Sequence, residues 1–160
     1  MLPILLSVIV ISFSGVMLPG PMFAVTLAKS YKSPLAGTQM SLGHAIVEVP
    51  LILLIYFGFA QFFENISVQF ILSIIGWGMV IWRGITMFRA RLEVVQGSKD
   101  LPYSALVGGS ITSGLNPFFL LWWATVGSLL IMRIIEFGII GLIAFTLVHW
   151  LADLIWLSFV

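Results

Sequence analysis

The chain contains two histidines, His44 and His149, and each stands four residues ahead of a carboxylate, Glu48 and Asp153. That spacing places imidazole and acid on one face of a helix. The flanking residues repeat too. Ser41-Leu42-Gly43-His44 leads to Glu48, and Thr146-Leu147-Val148-His149 leads to Asp153. Both stretches read hydroxyl, Leu, a small or branched residue, His, three apolar residues and an acid. An imidazole titrates near neutral pH, so such pairs can take up and release protons. Two imidazoles and two carboxylates also suit a divalent ion. A third use is structural, each pair satisfying itself and pinning helix packing. The spacing leaves all three open.

The surroundings of these pairs decide what they cost. Apolar residues make up 61% of the 160, against seven Lys and Arg and six Asp and Glu, and mean hydropathy is +1.17. A soluble domain has about a quarter of its residues charged; 8% excludes a free soluble protein and a disordered chain. A formal net charge of +1 offers no basic footprint for nucleic acid. Cysteine is absent, which removes disulfides and thiolate chemistry. Crossing the hydrocarbon takes about 20 mostly apolar residues, and the few charges leave room for five such spans, near 3–28, 36–60, 66–88, 104–132 and 137–160. Within lipid they must be helices. The expected fold is therefore an all-α, polytopic membrane helix bundle. Glu48 and Asp153 are the only charges well inside a span. Left ionised and alone there, each costs several kcal/mol, so each is expected to be protonated, paired or facing a cavity.

Two spans are interrupted. The first carries Pro19-Gly20-Pro21 and the fourth Asn116-Pro117. Proline within a helix removes a donor and displaces the carbonyl four residues earlier, here those of Gly15, Met17 and Ser113. Freed carbonyls at bilayer depth need protein or a water-filled cavity, and broken helices often place binding sites at the midplane. Each broken span is followed by a His/carboxylate helix. The order thus occurs twice, with residues 1–88 as a first three-span unit, 89–103 as a polar cytoplasmic linker and 104–160 as an incomplete second unit. A three-span unit reverses direction, so the second copy is inverted. By this count a sixth span would follow residue 160. The first span lacks a basic leader and a small-residue cleavage site, so it is expected to be retained. Lys29, Lys32, Arg83, Arg89, Arg91 and Lys99 fall in the 1–2 and 3–4 loop regions, against Arg133 alone in the others. That bias puts those loops in the cytoplasm and the N-terminus outside.

Other features are less specific. Gly76-Trp77-Gly78 and the tract Gly108 to Gly114 suit close helix packing. Trp122 and Trp123 sit too near the middle of the fourth span for an interfacial belt, which leaves cavity lining or core packing. Arg83 reads as a snorkelling charge at the end of the third span. No phosphate-cradling loop or other cofactor motif is present, and no residue is assigned to a resident metal.

The stretch LPGPMFAVTLAKSYKSPLAGTQMSLGHAIVE resembles the first two spans of the LysE/RhtB-type amino-acid exporter family. IIGWGMVIWRG resembles the end of its third span, and GGSITSGLNPFFLLWWATVG its fourth. The likeness runs over roughly residues 10–135. It implies a multi-pass inner-membrane exporter of amino acids or related small metabolites, driven by an ion gradient, with Pro19, Gly20, Pro21, Asn116 and Pro117 as motif positions. Met22 and Phe118 stand where that family often has Asn and Lys.

The function expected from these features is a secondary transporter with no covalent step. Its substrate contacts the broken helices, while His44, Glu48, His149 and Asp153 handle protons. The alternatives are a divalent-metal carrier or intramembrane metal site, and a non-transporting remnant or half-carrier subunit. The expected partners are the lipid bilayer and a small molecule, with room for a homo-oligomer and none for nucleic acid.

Overall fold

In a computed structural model, the described residues are 1–18, 20–59 and 102–160, together with 65–68, 70, 71, 74, 78, 81 and 85. The expected third span and the linker fall largely outside them, as do Pro19, Gly76, Trp77 and Arg83. The described residues are built from helices, with no strand among them. Helix α1 (Leu2–Val16) and helix α2 (Pro21–Ser30) together make the first expected span. Helix α3 (Ala36–Leu54) runs into a wide π turn at Ile55–Phe59, where the backbone leaves helical geometry in a kink at Gly58. Helix α4 (Ala105–Gly114) stops short, and α5 (Pro117–Trp122), a second π turn (Trp123–Gly127) and α6 (Ser128–Ile135) continue the chain. Helix α7 (Gly138–Phe159) is the longest among the described residues.

Among the described residues three helical stretches are long and apolar enough to cross a membrane: Ala36–Gly58, Pro117–Ile135 and Gly138–Phe159. The α1–α2 pair, bent by 73°, makes a fourth if counted as one span. The expected span 104–132 is divided differently from the sequence reading. The ten residues of α4 rise only about 15 Å at 1.5 Å per residue, about half the hydrocarbon, and the apolar stretch restarts at Pro117.

Polarity is arranged inside out. Ile140, Ile143, Leu147, Leu151 and Ile155 on α7 are exposed, and their three- and four-residue spacing makes one outward stripe. The opposite side of α7 buries Gly141, Phe145, His149, Ala152 and Asp153. Hydrocarbon solvates such an outer surface, leaving polar groups to be satisfied within the bundle. The larger apolar core joins Val8, Ile52, Ile55, Phe119, Trp123, Ile131, Ile134 and Phe145, contributed by α1, α3, α5 to α7 and the π turns. A smaller one joins Ala36, Met40 and Ala105, with Met22 and Val25 against it.

Helices α3 and α4 meet backbone to backbone. A Cβ on Gly43 would lie 1.9 Å from the Leu106 carbonyl oxygen, and one on Gly109 would lie 2.1 Å from that of Met40. The Ser110 hydroxyl donates to the Gly43 carbonyl at 2.9 Å. The packing expectation for the 108–114 tract thus holds at Gly109, whereas Gly78 has nothing within 4 Å of where its Cβ would be. Lys29, read as a loop charge, instead lies buried in the last turn of α2, where Nζ donates to the Tyr103 carbonyl at 2.5 Å.

Replacing Gly109 with Ala must separate two backbones, whereas Gly114→Ala meets only Val47 methyls at 3.8 and 3.9 Å. Overpacking of this kind costs about 1–3 kcal/mol. Thermal unfolding in detergent is expected to fall for Gly109→Ala and stay near wild type for Gly114→Ala.

Candidate functional site: a buried polar junction beside a cavity

The two interruptions have a common construction, and it differs from a proline inside a continuous helix. Pro21 and Pro117 are each the first residue of a new helix, where the missing N–H would have had no helical partner anyway. Two of the carbonyls expected to be freed are taken up locally. Leu18 N–H donates to the Gly15 carbonyl at 3.3 Å, and Asn116 N–H to that of Ser113 at 3.0 Å. Asn116 caps α5, its Oδ1 accepting from Phe118 N–H at 3.1 Å. Gly20 begins α2 with extended backbone and no side-chain cap.

The titratable groups meet between α3 and α7. His44 Nε2 lies 2.9 Å from Glu48 Oε1, the i, i+4 pair read from the sequence. The second pair is not made within its own helix. His149 Nε2 instead reaches across to the same Glu48 oxygen, at 3.1 Å, and Asp153 Oδ2 approaches His44 Nε2 at 3.9 Å. One acid thus lies between two imidazoles from two helices. Glu48 is 1% exposed, and its Oε2 has no hydrogen-bond partner among the described residues.

Two serines hold the far side of the imidazoles. His149 Nδ1 and Ser12 Oγ on α1 are 2.6 Å apart, and His44 Nδ1 and Ser113 Oγ on α4 are also 2.6 Å apart. Each histidine is therefore steadied from the opposite half of the chain. The Ser113 hydroxyl also lies 2.7 Å from the Gly109 carbonyl, and its one hydrogen can go to only one acceptor. The His44–Glu48 contact needs a hydrogen on one of its two atoms, so the pair can hold and exchange one proton.

Aromatic rings enclose it. His149 stacks between Trp122 (centroids 5.2 Å, planes 23°) and Phe145 (5.9 Å, 3°), with Trp123 edge-on at 5.2 Å. Phe119 meets His44 edge-on at 5.2 Å. Trp123 owes its position to Gly127, where a Cβ would fall 2.3 Å from the indole.

A cavity of about 490 Å³ opens beside this cluster. Of the residues singled out from sequence, Gly20, Pro21, His44, Glu48, Asn116, His149 and Asp153 line it. Pro117 starts α5 behind Asn116 and is not among the lining residues. Pro19 lies outside the described residues. Trp122, Trp123, Met22 and Phe118 are also in the wall; Trp123 is at the same time buried in the larger apolar core with Trp122 packed against it, so the tryptophans both line the cavity and pack the core. Ser12 and Ser113 escaped the sequence reading. A lone serine in an apolar span gives no periodic signal, and Ser113 was absorbed into a small-residue tract.

Losing an N-cap costs about 1 kcal/mol. Asn116→Ala is therefore expected to lower thermal stability, while Asn116→Asp, which keeps the acceptor, is expected to restore most of it in the same melting assay.

Comparison with known proteins gives one family. The profile described as LysE type translocator matches residues 13–160. No curated protein and no solved structure matches significantly. The match takes in both interruptions, both histidines and both acids, and the apolar helices agree with a membrane location. The chain belongs to the LysE type translocator family, a family of membrane transporters.

Proposed function

We propose that this protein is a secondary exporter of amino acids or related small metabolites in the cell membrane, coupled to protons through the junction of His44, Glu48 and His149. The observation that carries this reading is the position of Glu48. Its Oε1 meets Nε2 of His44 at 2.9 Å and of His149 at 3.1 Å, on the wall of a cavity entered by the broken helices. Substrate occupies the cavity near the start of α2 and the capped start of α5. A proton arriving at the His44–Glu48 contact changes the charge of the same wall, so occupancy by proton and by substrate influence one another. No bond is made or broken in the substrate.

The proposal extends to topology. The chain makes five spans in two inverted units, with the N-terminus outside and the 1–2 and 3–4 loops cytoplasmic. The serine contacts support the two-unit view, because each half supplies the serine that steadies the other half's histidine.

A second reading rests on one observation. Ligand atoms of His44, Glu48 and Asp153 all lie within 4.8 Å of one another, a grouping that a divalent cation could use. In that case the junction carries or holds a metal.

Proteoliposomes with an imposed pH gradient separate these readings. Efflux of loaded amino acids or related metabolites is expected to follow the gradient in wild type. It should drop to the level of protein-free vesicles for Glu48→Gln, which keeps the size and loses the charge. Unchanged coupling in Glu48→Gln removes the acid from the mechanism. Equilibrium titration with Zn²⁺ or Mn²⁺ tests the second reading. It fails if His44→Ala and His149→Ala leave the affinity as it was.

A further inference from the structure

We infer that the substrate is an amino acid with an apolar side chain, held at both ends as a zwitterion: its carboxylate on the first turn of α2, its ammonium group on Asp153. The inference deepens the transporter reading and rests on it for what binding is for.

The carboxylate end is set by the way α2 begins. Gly20 enters the helix with extended backbone, and no side chain caps it. Amides at the start of a helix have no acceptor within it. Here the ladder opens with Ala24 N–H on the Gly20 carbonyl at 3.0 Å, and Pro21 has no N–H to offer. Met22 and Phe23 are therefore the donors ahead of the ladder. Gly20, Pro21, Met22 and Phe23 all line the cavity. Two amides at the positive end of a helix suit an anion. The start of α5 is different, because Asn116 covers Phe118 N–H with its own side chain.

The ammonium end is set by Asp153, a buried acid in the wall of the same cavity. The residue is 7% exposed. Among the described residues it meets no side-chain donor within hydrogen-bond range. His44 Nε2 stands 3.9 Å away and is already engaged by Glu48 at 2.9 Å. The Asp153 carboxylate thus keeps acceptor capacity for a donor arriving through the cavity. An ammonium group brings three donors, and hydrogen bonds between two ions are about twice as strong as neutral ones.

An aromatic contact brings the two ends together. Phe23 of α2 stacks on Trp156 of α7, with centroids 6.5 Å apart and planes at 24°. Trp156 is three residues beyond Asp153, on the same face of α7. The first turn of α2 therefore lies against the stretch of α7 that carries the acid. An amino acid bears both charged groups on one carbon and so can address both anchors at once. Its side chain is left to the apolar wall of Leu18, Phe118, Phe119 and Trp122. A volume near 490 Å³ lies within the range of small-molecule sites, about 300–1,000 Å³.

The test compares amino acids with analogues that lack one charged group. Phenylalanine is set against phenethylamine and 3-phenylpropanoate, and leucine against 3-methylbutylamine and 4-methylpentanoate. Binding to the full chain in nanodiscs is measured by isothermal titration calorimetry. Each amino acid is expected to bind at least about tenfold more tightly than either of its analogues, a difference of about 1.4 kcal/mol. Asp153→Asn is expected to erase the preference over the carboxylate analogue and keep that over the amine. Gly20→Asp places a capping acid on the same amides and is expected to do the opposite. Equal or tighter binding of an analogue to the wild type overturns the proposal. So does a variant that folds and keeps both preferences, or failure of both amino acids to bind. Should either variant not fold, the wild-type comparison and the other variant still decide. Zwitterion-selective binding with no gradient-driven efflux from proteoliposomes would sink the exporter reading and leave this one standing; gradient-driven amino-acid efflux without that selectivity would do the reverse.

Discussion

Two acids and two imidazoles are packed inside a bundle whose outer face is Leu, Ile and Phe, and satisfying them constrains almost everything else. Isolated ions in such a place are costly. The solution is sharing. Glu48 takes both histidines at once, which fixes the separation of α3 and α7. The far nitrogens then need their own partners, and these come from Ser12 and Ser113, which fixes α1 against α7 and α4 against α3. Four helices are thereby registered by one small set of hydrogen bonds, and the apolar cores fill the space that this registration leaves.

The interruptions serve the same end. If α4 ran unbroken into α5, one straight rod would have to present Ser113 to His44 and also carry Phe119 and Trp122 around the imidazoles. Stopping at Gly114 and restarting at Pro117 lets the two pieces be aimed separately. The cost is small because proline begins the new helix and the displaced carbonyls find donors within the turn. Asn116 adds a cap where Gly20 has none, so the two joints, alike in construction, differ in how firmly their helices begin. The wide turn at Trp123–Gly127 continues this re-aiming, with Gly127 making room for the indole of Trp123.

Much of this was legible in the residues. Lipid-facing helices followed from scarce charge, and the chemical interest of His44, Glu48, His149 and Asp153 followed from their isolation in apolar spans. Gly20, Pro21 and Asn116 were legible as breaks. What could not be read was partnership. The i, i+4 spacing suggests that His149 pairs with Asp153, but spacing knows only its own helix; the nearby oxygen of Glu48, on another helix, takes that nitrogen instead. The serines were invisible for a like reason, since their importance lies in neighbours 69 and 137 positions away. The fate of the carbonyls is not legible either, because a proline looks the same in a sequence whether it kinks one helix or starts the next.

The glycine contact between α3 and α4 has a mechanical corollary. Where main chains touch at Gly43 and Gly109, there is no cushion of side chains to shear, and one helix cannot ratchet along the other without first lifting away from it. The pair behaves as a keel. At Pro21 and Pro117, by contrast, no amide hydrogen ties the new helix to the one before it; the φ-locked rings hold their own helices firm, and any change of angle between the pieces falls to the short turns ahead of them, beside the polar cluster.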